Sequence, residues 1–514
     1  MKTKKTIMFI IIVVLMIAVL CSCGNKTSDE DATYESSAFS LADSESYYGD
    51  AFGDGSVIDI KVDITTENWE DILNNPIDEE FHTANVTFNG ISLDNVAFRT
   101  KGNSTLTSIA NSDSERYSFK IKTDKYIDDQ TINGLNEFVL NSNYADASYL
   151  REYLTYEAMA EIGGIVPNLT FCNLYINDEL YGFYLCVESY DDSFVERITD
   201  DENACLYKAD GDNCSLLTND DTTGFDSQYG DDKDCENIKN LITVLNNTTE
   251  ENKGELEDIL DVNSVLKGIA VNYVMGNYDS YSGKFAHNYY LLFSDGSFKY
   301  VGWDYNMAFG AFPEDSGTSA TLDISTPIML TTEANRPLFS KLLAIDEYYE
   351  TYVDYVKQLA TYWTDFENVI ADKVNSIRPY VASDPTAFYT IDEFNSCVAY
   401  SEDVVLAAPT TQDGIVPQDG MVPQDGMVPQ DGMVPTPDEG TTPPDGTTPP
   451  DGTTPPQGMT PPQGTRPPQG ATLPTDATAP AQDAKIGGNK TMTSSISIVN
   501  YMKTKLETIA NATK

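Results

Sequence analysis

Two short segments carry residue types that phosphoryl transfer needs. Residues 272–290 (NYVMGNYDSYSGKFAHNYY) contain Asp279 and Asn288, and residues 301–310 (VGWDYNMAFG) contain Asp304. One carboxylate can orient or deprotonate a hydroxyl, while a second carboxylate and an amide oxygen can hold magnesium on phosphates. Carboxylates among apolar neighbours are costly unless they are paired or bind a metal. The alternative interpretation is that both aspartates only cap loop turns.

Positive charge gathers in the first third of the chain. Arg99, Lys101 and Lys120 flank the small-residue turn at 102–104 (GNS). Glycine lets a backbone approach a phosphate closely, and lysine supplies a point charge. Lysines that protect the edge of a sheet explain the same pattern.

A helix predicted over residues 148–162 (SYLREYLTYEAMAEI) has an apolar face and carries two acids, Glu152 and Glu157. Either acid can form an ion pair with a lysine on a neighbouring strand. An ion pair between a strand lysine and a helix glutamate is a feature of protein kinases.

The segments around these residues alternate between strand and helix patterns. Residues 57–64 (VIDIKVDI) alternate as a half-buried strand does, a short helix follows, and Asn89-Gly90 predicts a hairpin turn. Residues 169–188 predict a second hairpin around Asn177-Asp178. Together these segments predict a twisted antiparallel sheet with one packed helix. Residues 191–247 are acidic and rich in turns, with little pattern.

The second half of the globular region is mainly helical. Residues 256–275 predict a helix that leads into the Asp279 loop, and a hairpin across Asp295-Gly296 presents Asp304 at its exit. Residues 337–363 and 366–381 show the three- and four-residue spacing of helices.

The charge of the chain restricts its partners. Its 514 residues include 81 acidic and 31 basic residues, for a formal charge of -50. Such an excess argues against binding to nucleic acid or to an anionic membrane surface. It suits a secreted protein or one with a basic substrate, and the alternative explanation is that the acidic excess serves solubility.

The first residues predict export. Lysines precede the apolar run 7–20, which is short for a membrane span, and the run ends in LCSC at 20–23. This end is similar to a bacterial lipobox with Cys23 as the lipidated residue, and residues 24–50 then form a disordered tether. The alternatives are plain secretion or an uncleaved anchor.

Six cysteines remain beyond the lipobox, and no CxxC pair suggests zinc. Export permits disulfides, with Cys172–Cys186 and Cys205–Cys214 as two pairings. Isolated buried thiols are the other interpretation.

A proline- and glycine-rich hexapeptide repeat occupies the region that we assign to residues 409–489. Its units read VPQDGM, TTPPDG and PPQGTR, and such a composition cannot bury a core. Residues 494–510 then return to an amphipathic helix pattern. The repeat is therefore predicted to be a spacer inserted into one domain, whose last helix lies within 490–514.

Several motifs in order make the chain resemble the CotH family of spore-coat-associated kinases, over about residues 55–400 and again 490–510. The motifs are FRTKGNST (98–105), SFKIK (118–122), LNSNYADASYLREYLTYEAM (140–159), NLYINDELYGFYLCVE (173–188), LYKADG (206–211), GNYDSYSGKFAHNYYLLF (276–293) and VGWDYNMAFG.

The resemblance implies an α+β, atypical protein-kinase-like fold with a small mixed β lobe (51–190) and a larger, mainly helical catalytic lobe (191–408). It implies transfer of the ATP γ-phosphoryl group to Ser or Thr of secreted or spore-coat proteins, with Mg²⁺ or Mn²⁺. By position, Asp279 matches the catalytic aspartate, and Asp304 and Asn288 match the metal ligands. Lys120 is assigned as the phosphate lysine and Glu157 as its partner.

Further nucleotide contacts follow from the same resemblance. Phe298 and Tyr190 stand where relatives sandwich adenine, and Trp303 is expected to pack beneath Asp304. The other residues assigned to cofactor binding are Arg99, Lys101, Gly102 and Ser104. One departure concerns the metal: the family's WDxD pattern has Asn306 in place of its second acid, which weakens the metal site.

These features predict a lipid-anchored kinase on the outer face of the cell membrane or in the spore coat. Its expected partners are ATP, the membrane through Cys23, and a protein substrate, for which a basic Ser/Lys-rich protein is the candidate. The alternatives are a surface adhesin or a structural coat protein on a kinase-like scaffold.

Overall fold

The computed structural model describes residues 47–53, 55–211, 213–313, 316–398 and 497–514, which all belong to one compact unit. The predicted signal peptide, Cys23, most of the tether and the 409–489 spacer lie outside the described residues. No helix within the described ranges is long and apolar enough to cross a membrane.

The first half of the unit is a closed barrel of seven strands in the order β1-β2-β3-β4-β5-β7-β6. All neighbours are antiparallel except β1 and β6, which pair in parallel from Ile58↔Cys172 onward. The strands are β1 (Ile58–Ile64), β2 (His82–Phe88), β3 (Ile91–Lys101), β4 (Ser118–Lys122), β5 (Glu137–Asn141), β6 (Leu169–Ile176) and β7 (Glu179–Glu188).

The barrel interior is filled by alternate residues of these strands. Ile60, Phe98, Phe119 and Leu140 are fully buried in one hydrophobic cluster. Because side chains alternate along a strand, Arg99, Lys101 and Lys120 lie on the outer face of the barrel. The predicted antiparallel sheet was incomplete, because its closure depends on pairing between β1 and β6, which are distant in sequence.

The three predicted hairpin turns are confirmed by the strand pairings. Each turn places two consecutive residues in the left-handed region, at Asn89-Gly90, Asn177-Asp178 and Asp295-Gly296. Such pairs match the right-handed twist of the flanking strands.

The second half contains a four-stranded sheet in the order β11-β10-β8-β9, packed against helices. Its strands are β8 (Cys205–Ala209), β9 (Phe225–Tyr229), β10 (Tyr289–Ser294) and β11 (Ser297–Gly302). Residues 191–247, which show little pattern, thus supply two strands. β8 pairs with β10 on one side and with β9 on the other. β9 lies at the sheet edge and exposes polar residues.

The described helices are α1 (Thr66–Asn74), α2 (Ser104–Ala110), α3 (Arg151–Glu161), α4 (Asp192–Ile198), α5 (Glu236–Asn247), α6 (Lys253–Glu257), α7 (Val262–Met275), α8 (Ser316–Thr321), α9 (Pro337–Leu343), α10 (Asp346–Tyr362), α11 (Phe366–Ser383), α12 (Ile391–Val398) and α13 (Ile498–Ala512). The helix predicted from residue 148 begins at Arg151, because Tyr149 has a left-handed backbone (φ 61°) and the Asp146 carboxylate accepts hydrogen bonds from the Ser148 and Arg151 amides.

The six described cysteines are all buried, and none of them forms a disulfide with another described cysteine. Cys172 lies opposite Tyr184, and Cys186 lies opposite Thr170, so the two thiols of the β6–β7 hairpin are offset by two positions. The alternative of isolated buried thiols therefore describes this structure.

The last helix, α13, packs into the helical half of the unit. Its buried residues include Tyr501, Met502, Lys505 and Ile509. The Lys505 ammonium donates to the Ser319 carbonyl (2.7 Å) and lies 4.0 Å from the centre of the Tyr273 ring.

We expect Lys505→Met to remove a pH dependence of stability. Burial lowers the pKa of Lys505 to about 7, below that of an unfolded lysine, so folding becomes less favourable as the pH falls from about 10 to 7. The free energy of unfolding of the wild type relative to Lys505→Met should thus rise by up to about 4 kcal/mol between pH 7 and pH 10. Denaturant unfolding of both proteins at pH 7 and at pH 10 measures the two free energies of unfolding. If the difference between wild type and variant were the same at both pH values, the lowered pKa of Lys505 would be contradicted.

Candidate active site

The Asp279 loop follows α7, which ends at Gly276 in the left-handed conformation (φ 63°). Asn288 donates through Nδ2 to the Asp279 carbonyl (2.8 Å) and lies 3.3 Å from Asp279 Oδ2. Two of the three residues assigned to phosphoryl transfer are thus in contact. Since the side-chain nitrogen Nδ2 of Asn288 faces Asp279, the side-chain oxygen Oδ1 is the group available to a cation.

His287 forms the second support of Asp279. Its Nε2 lies 2.7 Å from Asp279 Oδ1. Burial lowers the pKa of His287, but the hydrogen bond and charge of Asp279 outweigh burial, so the pKa is raised above its usual value. An imidazole that carries a proton on Nε2 donates to Asp279 and fixes the carboxylate orientation.

The Asp304 loop is tied to the same place through the backbone. The Trp303 amide donates to the Asn288 carbonyl (3.1 Å), directly beside Asp304. The residues of the two loops with a left-handed backbone include Ala286 (φ 53°), Asn288 (φ 55°) and Asp304 (φ 52°). Such conformations persist only where the surroundings determine them, and they concentrate at functional sites.

Asp304 is half-buried, and its carboxylate has no hydrogen bond or ion pair with any residue that the structure describes. Burial raises its pKa, and the neighbouring charge of Asp279 adds to this effect, while Lys101 and His287 oppose it. A half-buried carboxylate without a protein partner loses part of its hydration and gains no hydrogen bond in return. This residue fits a site that is completed by a cation.

The donor set suits magnesium or manganese rather than zinc. The Asp304 carboxylate and the side-chain oxygen Oδ1 of Asn288 offer hard oxygen ligands. No group of three His, Cys, Asp or Glu side chains within the described ranges is placed to hold a metal ion. Magnesium commonly takes only one or two protein ligands, with substrate phosphates and water completing its shell.

Lys101 is the barrel lysine whose positive charge interacts with the Asp304 carboxylate. Its Nζ donates to Asn141 Oδ1 (3.1 Å), and Asn141 Nδ2 donates to Glu152 Oε2 (2.9 Å). Burial raises the pKa of Glu152 to about 8, and the charge of Asp304 contributes to the same shift. The Glu152 Oε1 atom is buried without a partner.

The predicted pairing of Lys120 with Glu157 was wrong. Lys120 forms an ion pair with Glu137 (2.6 Å), and Glu157 forms one with Lys373 (2.9 Å). Residues five apart on a helix point about 140° from each other, so Glu152 and Glu157 cannot both face the barrel. The structure places Glu152 at the site and turns Glu157 toward α11.

The remaining residues of the basic strand have other surroundings. Arg99 forms an ion pair with Glu79 and covers the Phe81 ring. A side-chain carbon on Gly102 (φ 133°) would lie 3.1 Å from Thr105 Oγ1, which is a tight contact, and the exposed Ser104 begins α2. The structure describes a turn and a short helix here.

The two aromatic residues assigned to adenine do not face each other. Tyr190 packs against Trp303 (ring centres 4.8 Å apart) and donates to the Gly302 carbonyl (3.0 Å). Phe298 packs against Phe293 in a separate hydrophobic cluster. Both rings are almost fully buried by protein, so the structure does not form the expected pair.

Trp303 lies beside Tyr190 and Tyr290, which makes it part of an aromatic cluster next to Asp304. Sequence reasoning did not single out Tyr290. It also missed Asn141, Lys208 and Asp210, although the motifs that contain these residues carried the family resemblance. Lys208 forms an ion pair with Asp210. The positive charge of Lys208 opposes the rise in the pKa of Asp304.

Comparison with known proteins places this geometry in context. The model of the CotH kinase protein family matches residues 98–407. The chain is 26% identical over 280 residues to inner spore coat protein H of Bacillus subtilis (strain 168), a match that covers 52% of this chain and 74% of that protein. The matched range contains both aspartate loops, Lys101 and α3.

Proposed function

The chain belongs to the CotH family, and we propose that it is a kinase that transfers the γ-phosphoryl group of ATP to Ser or Thr of secreted or spore-coat proteins. Asp304 carries the proposal, because a half-buried carboxylate without a protein partner, in the electrostatic field of Asp279, His287 and Lys101, fits the role of a cation ligand. We further propose a kinase-like, two-lobed arrangement, supported by the placement of α3 between β5 and β6 and by the mainly helical second half.

Each residue has a distinct role in the proposed reaction. Asp279, held by His287 and Asn288, orients the substrate hydroxyl and accepts its proton. The hydroxyl oxygen bonds to the γ-phosphorus while the bond from that phosphorus to the β–γ bridging oxygen breaks, and ADP leaves. Asp304 and Asn288 would hold the divalent cation, which neutralises phosphate charge.

Lys101 takes the phosphate role that the sequence assigned to Lys120. Its charge is next to Asp304, and the bridge through Asn141 to Glu152 orients its ammonium. A hydrogen-bonded second residue of this kind holds a catalytic group in one orientation. Glu152 is thereby the acidic residue of α3 that is linked to the lysine. The link runs through the side-chain amide of Asn141 and is not a direct ion pair.

The proposed substrate and location rest on the net charge of the chain and on its similarity to a spore coat protein. A net charge of -50 favours a basic protein partner, such as a Ser/Lys-rich one. The similarity to a spore coat protein supports a spore-coat location, and lipidation at Cys23 with anchoring on the outer membrane face is retained as a proposal. ATP would be available if the protein acted before export or inside a compartment formed during sporulation.

A non-catalytic coat component or adhesin is the second candidate function, and the relative's name as a coat protein favours the former. Such a protein has no physical need for an unpaired carboxylate beside a lysine and a second carboxylate.

Nucleotide and metal binding separates the two functions before any substrate is known. We expect ATP with Mg²⁺ or Mn²⁺ to raise the melting temperature of the full chain, since a ligand at a hundred times its Kd stabilises by about 2.7 kcal/mol. ATP with EDTA, and metal alone, serve as controls and should give much smaller shifts. A flat response to ATP, GTP and both metals would favour the non-catalytic coat role.

A further inference from the structure

The C-terminal helix α13 reaches the base of the proposed active site through Tyr501. A side-chain carbon built on Gly276 would lie only 2.0 Å from the Tyr501 hydroxyl, so the two residues are in close contact. Gly276 ends α7 and is followed at once by the loop that carries Asp279. The Tyr501 hydroxyl also lies 3.2 Å from Ser319 Oγ on α8, and the ring is fully buried.

Tyr501 also contacts the segment that follows Asp304. Its ring centre lies 5.8 Å from that of Phe309, in an edge-to-face arrangement. The Phe309 amide donates to the Met275 carbonyl, and the Gly310 amide donates to the Gly276 carbonyl (3.1 Å). Tyr501 thus supports both polypeptide segments at the point where they are hydrogen-bonded to each other.

This junction is conformationally demanding. Gly276, Asp304, Phe309 and Gly310 all adopt positive φ values. For Phe309, which has a bulky side chain, φ of 58° is unfavourable and requires support from neighbouring groups. The support comes from Arg151 of α3, which donates to the Ala308 carbonyl (2.8 Å), from the end of α7, and from Tyr501.

We propose that Tyr501 is a positioning residue that fixes the Asp279 and Asp304 loops relative to each other, so that docking of the C-terminal helix completes the active site. The inference rests on the proposed kinase function for its catalytic consequence, but the positioning itself is independent of activity. It places a requirement for catalysis at the far end of the chain, beyond residues 399–496.

Full-length variants test the proposal. Tyr501→Ala removes the support, Tyr501→Phe keeps the ring and loses only the hydroxyl, and Ile509→Ala removes a side chain that is equally buried on the same helix. Ile509 lies eight residues from Tyr501, about 12 Å along the helix axis, and so serves as the matched control.

Hydrogen exchange of backbone amides is the readout that does not depend on activity. In Tyr501→Ala we expect exchange in peptides covering residues 276–290 and 304–311 to accelerate by about tenfold or more, which corresponds to about 1.4 kcal/mol. In Ile509→Ala these peptides should exchange as in the wild type, with any acceleration confined to α13. Equal acceleration in both variants, or none in Tyr501→Ala, would overturn the positioning role. Should Tyr501→Ala not fold, Tyr501→Leu carries the same comparison.

The kinetic readout links positioning to catalysis. Tyr501→Ala should lower kcat for phosphoryl transfer at least tenfold with KM for ATP changed less than threefold, and Tyr501→Phe should recover most of the rate. Unchanged kcat in Tyr501→Ala would refute the catalytic consequence. If the wild type transfers no phosphoryl group, the proposed function fails, while the exchange result still decides whether Tyr501 positions the loops.

Discussion

Replacing Asp304 by asparagine is expected to abolish phosphoryl transfer and, at the same time, to stabilise the protein without ligand. The substitution keeps the shape and the left-handed backbone, which asparagine tolerates, and removes only the charge. Loss of the carboxylate removes the proposed cation ligand, so transfer from γ-labelled ATP should fall by about 10³-fold or more.

The stability change has the opposite direction because Asp304 has no partner among the described residues. Neutralising a half-buried, unpaired carboxylate next to Asp279 removes both a desolvation cost and a repulsion. The melting temperature of Asp304→Asn without ligand should therefore exceed that of the wild type, and ATP with Mg²⁺ should stabilise the variant less. A gain in stability with a loss of activity is the pattern expected of a functional residue.

Asp295→Asn is the matched control for Asp304→Asn. Asp295 is an exposed aspartate that also has a left-handed backbone (φ 53°), and it lies in the β10–β11 turn away from the site. Its substitution should change neither label transfer nor the response to ATP and Mg²⁺. Label transfer by Asp304→Asn at the wild-type rate would disprove the assignment of Asp304 to the cation.

The second large effect distinguishes the two lysines of the barrel. Lys101→Met should reduce kcat/KM for ATP by about 10² to 10³-fold, because it removes a charge that interacts with Asp304 and that, in the proposed reaction, would stabilise the transferring phosphoryl group. Lys120→Met removes a lysine that is paired with Glu137, and we expect a loss of less than tenfold. Both side chains are half-exposed, and methionine preserves most of their packing.

Glu152→Gln extends this comparison without removing a lysine. The glutamine side chain keeps a partner for Asn141 and changes the charge little at neutral pH, because burial already raises the pKa of Glu152 to about 8, so kcat/KM for ATP should fall less than in Lys101→Met. A larger effect of Lys120→Met than of Lys101→Met would show that the phosphate lysine is the one assigned from the sequence. It would also require Lys120 to leave Glu137 when nucleotide binds.

Local sequence patterns were sufficient for the Asp279 loop and for the hairpins. Asp279, His287 and Asn288 lie within ten positions, and the Asn288–Asp279 contact forms inside one loop. The Asn-Gly, Asn-Asp and Asp-Gly turns were identifiable because their preference for positive φ is a property of the residues themselves.

The lysine–glutamate assignment failed because it depends on the rotation of α3 against the barrel. Glu152 and Glu157 are both acids on one amphipathic helix, and the sequence does not say which of them faces β3. Likewise Tyr190 and Phe298 are each next to functional motifs in sequence, yet packing places their rings in different clusters.

By itself, the sequence determined the family, the two carboxylate loops, the hairpins and most helices, because these depend on short-range preferences and on motifs in order. Only the tertiary structure decided which lysine lies beside Asp304, that the sheet closes through β1 and β6, and that Tyr501 lies beneath both loops. These outcomes are set by contacts between distant segments, where small differences in packing choose among residues of equal local preference.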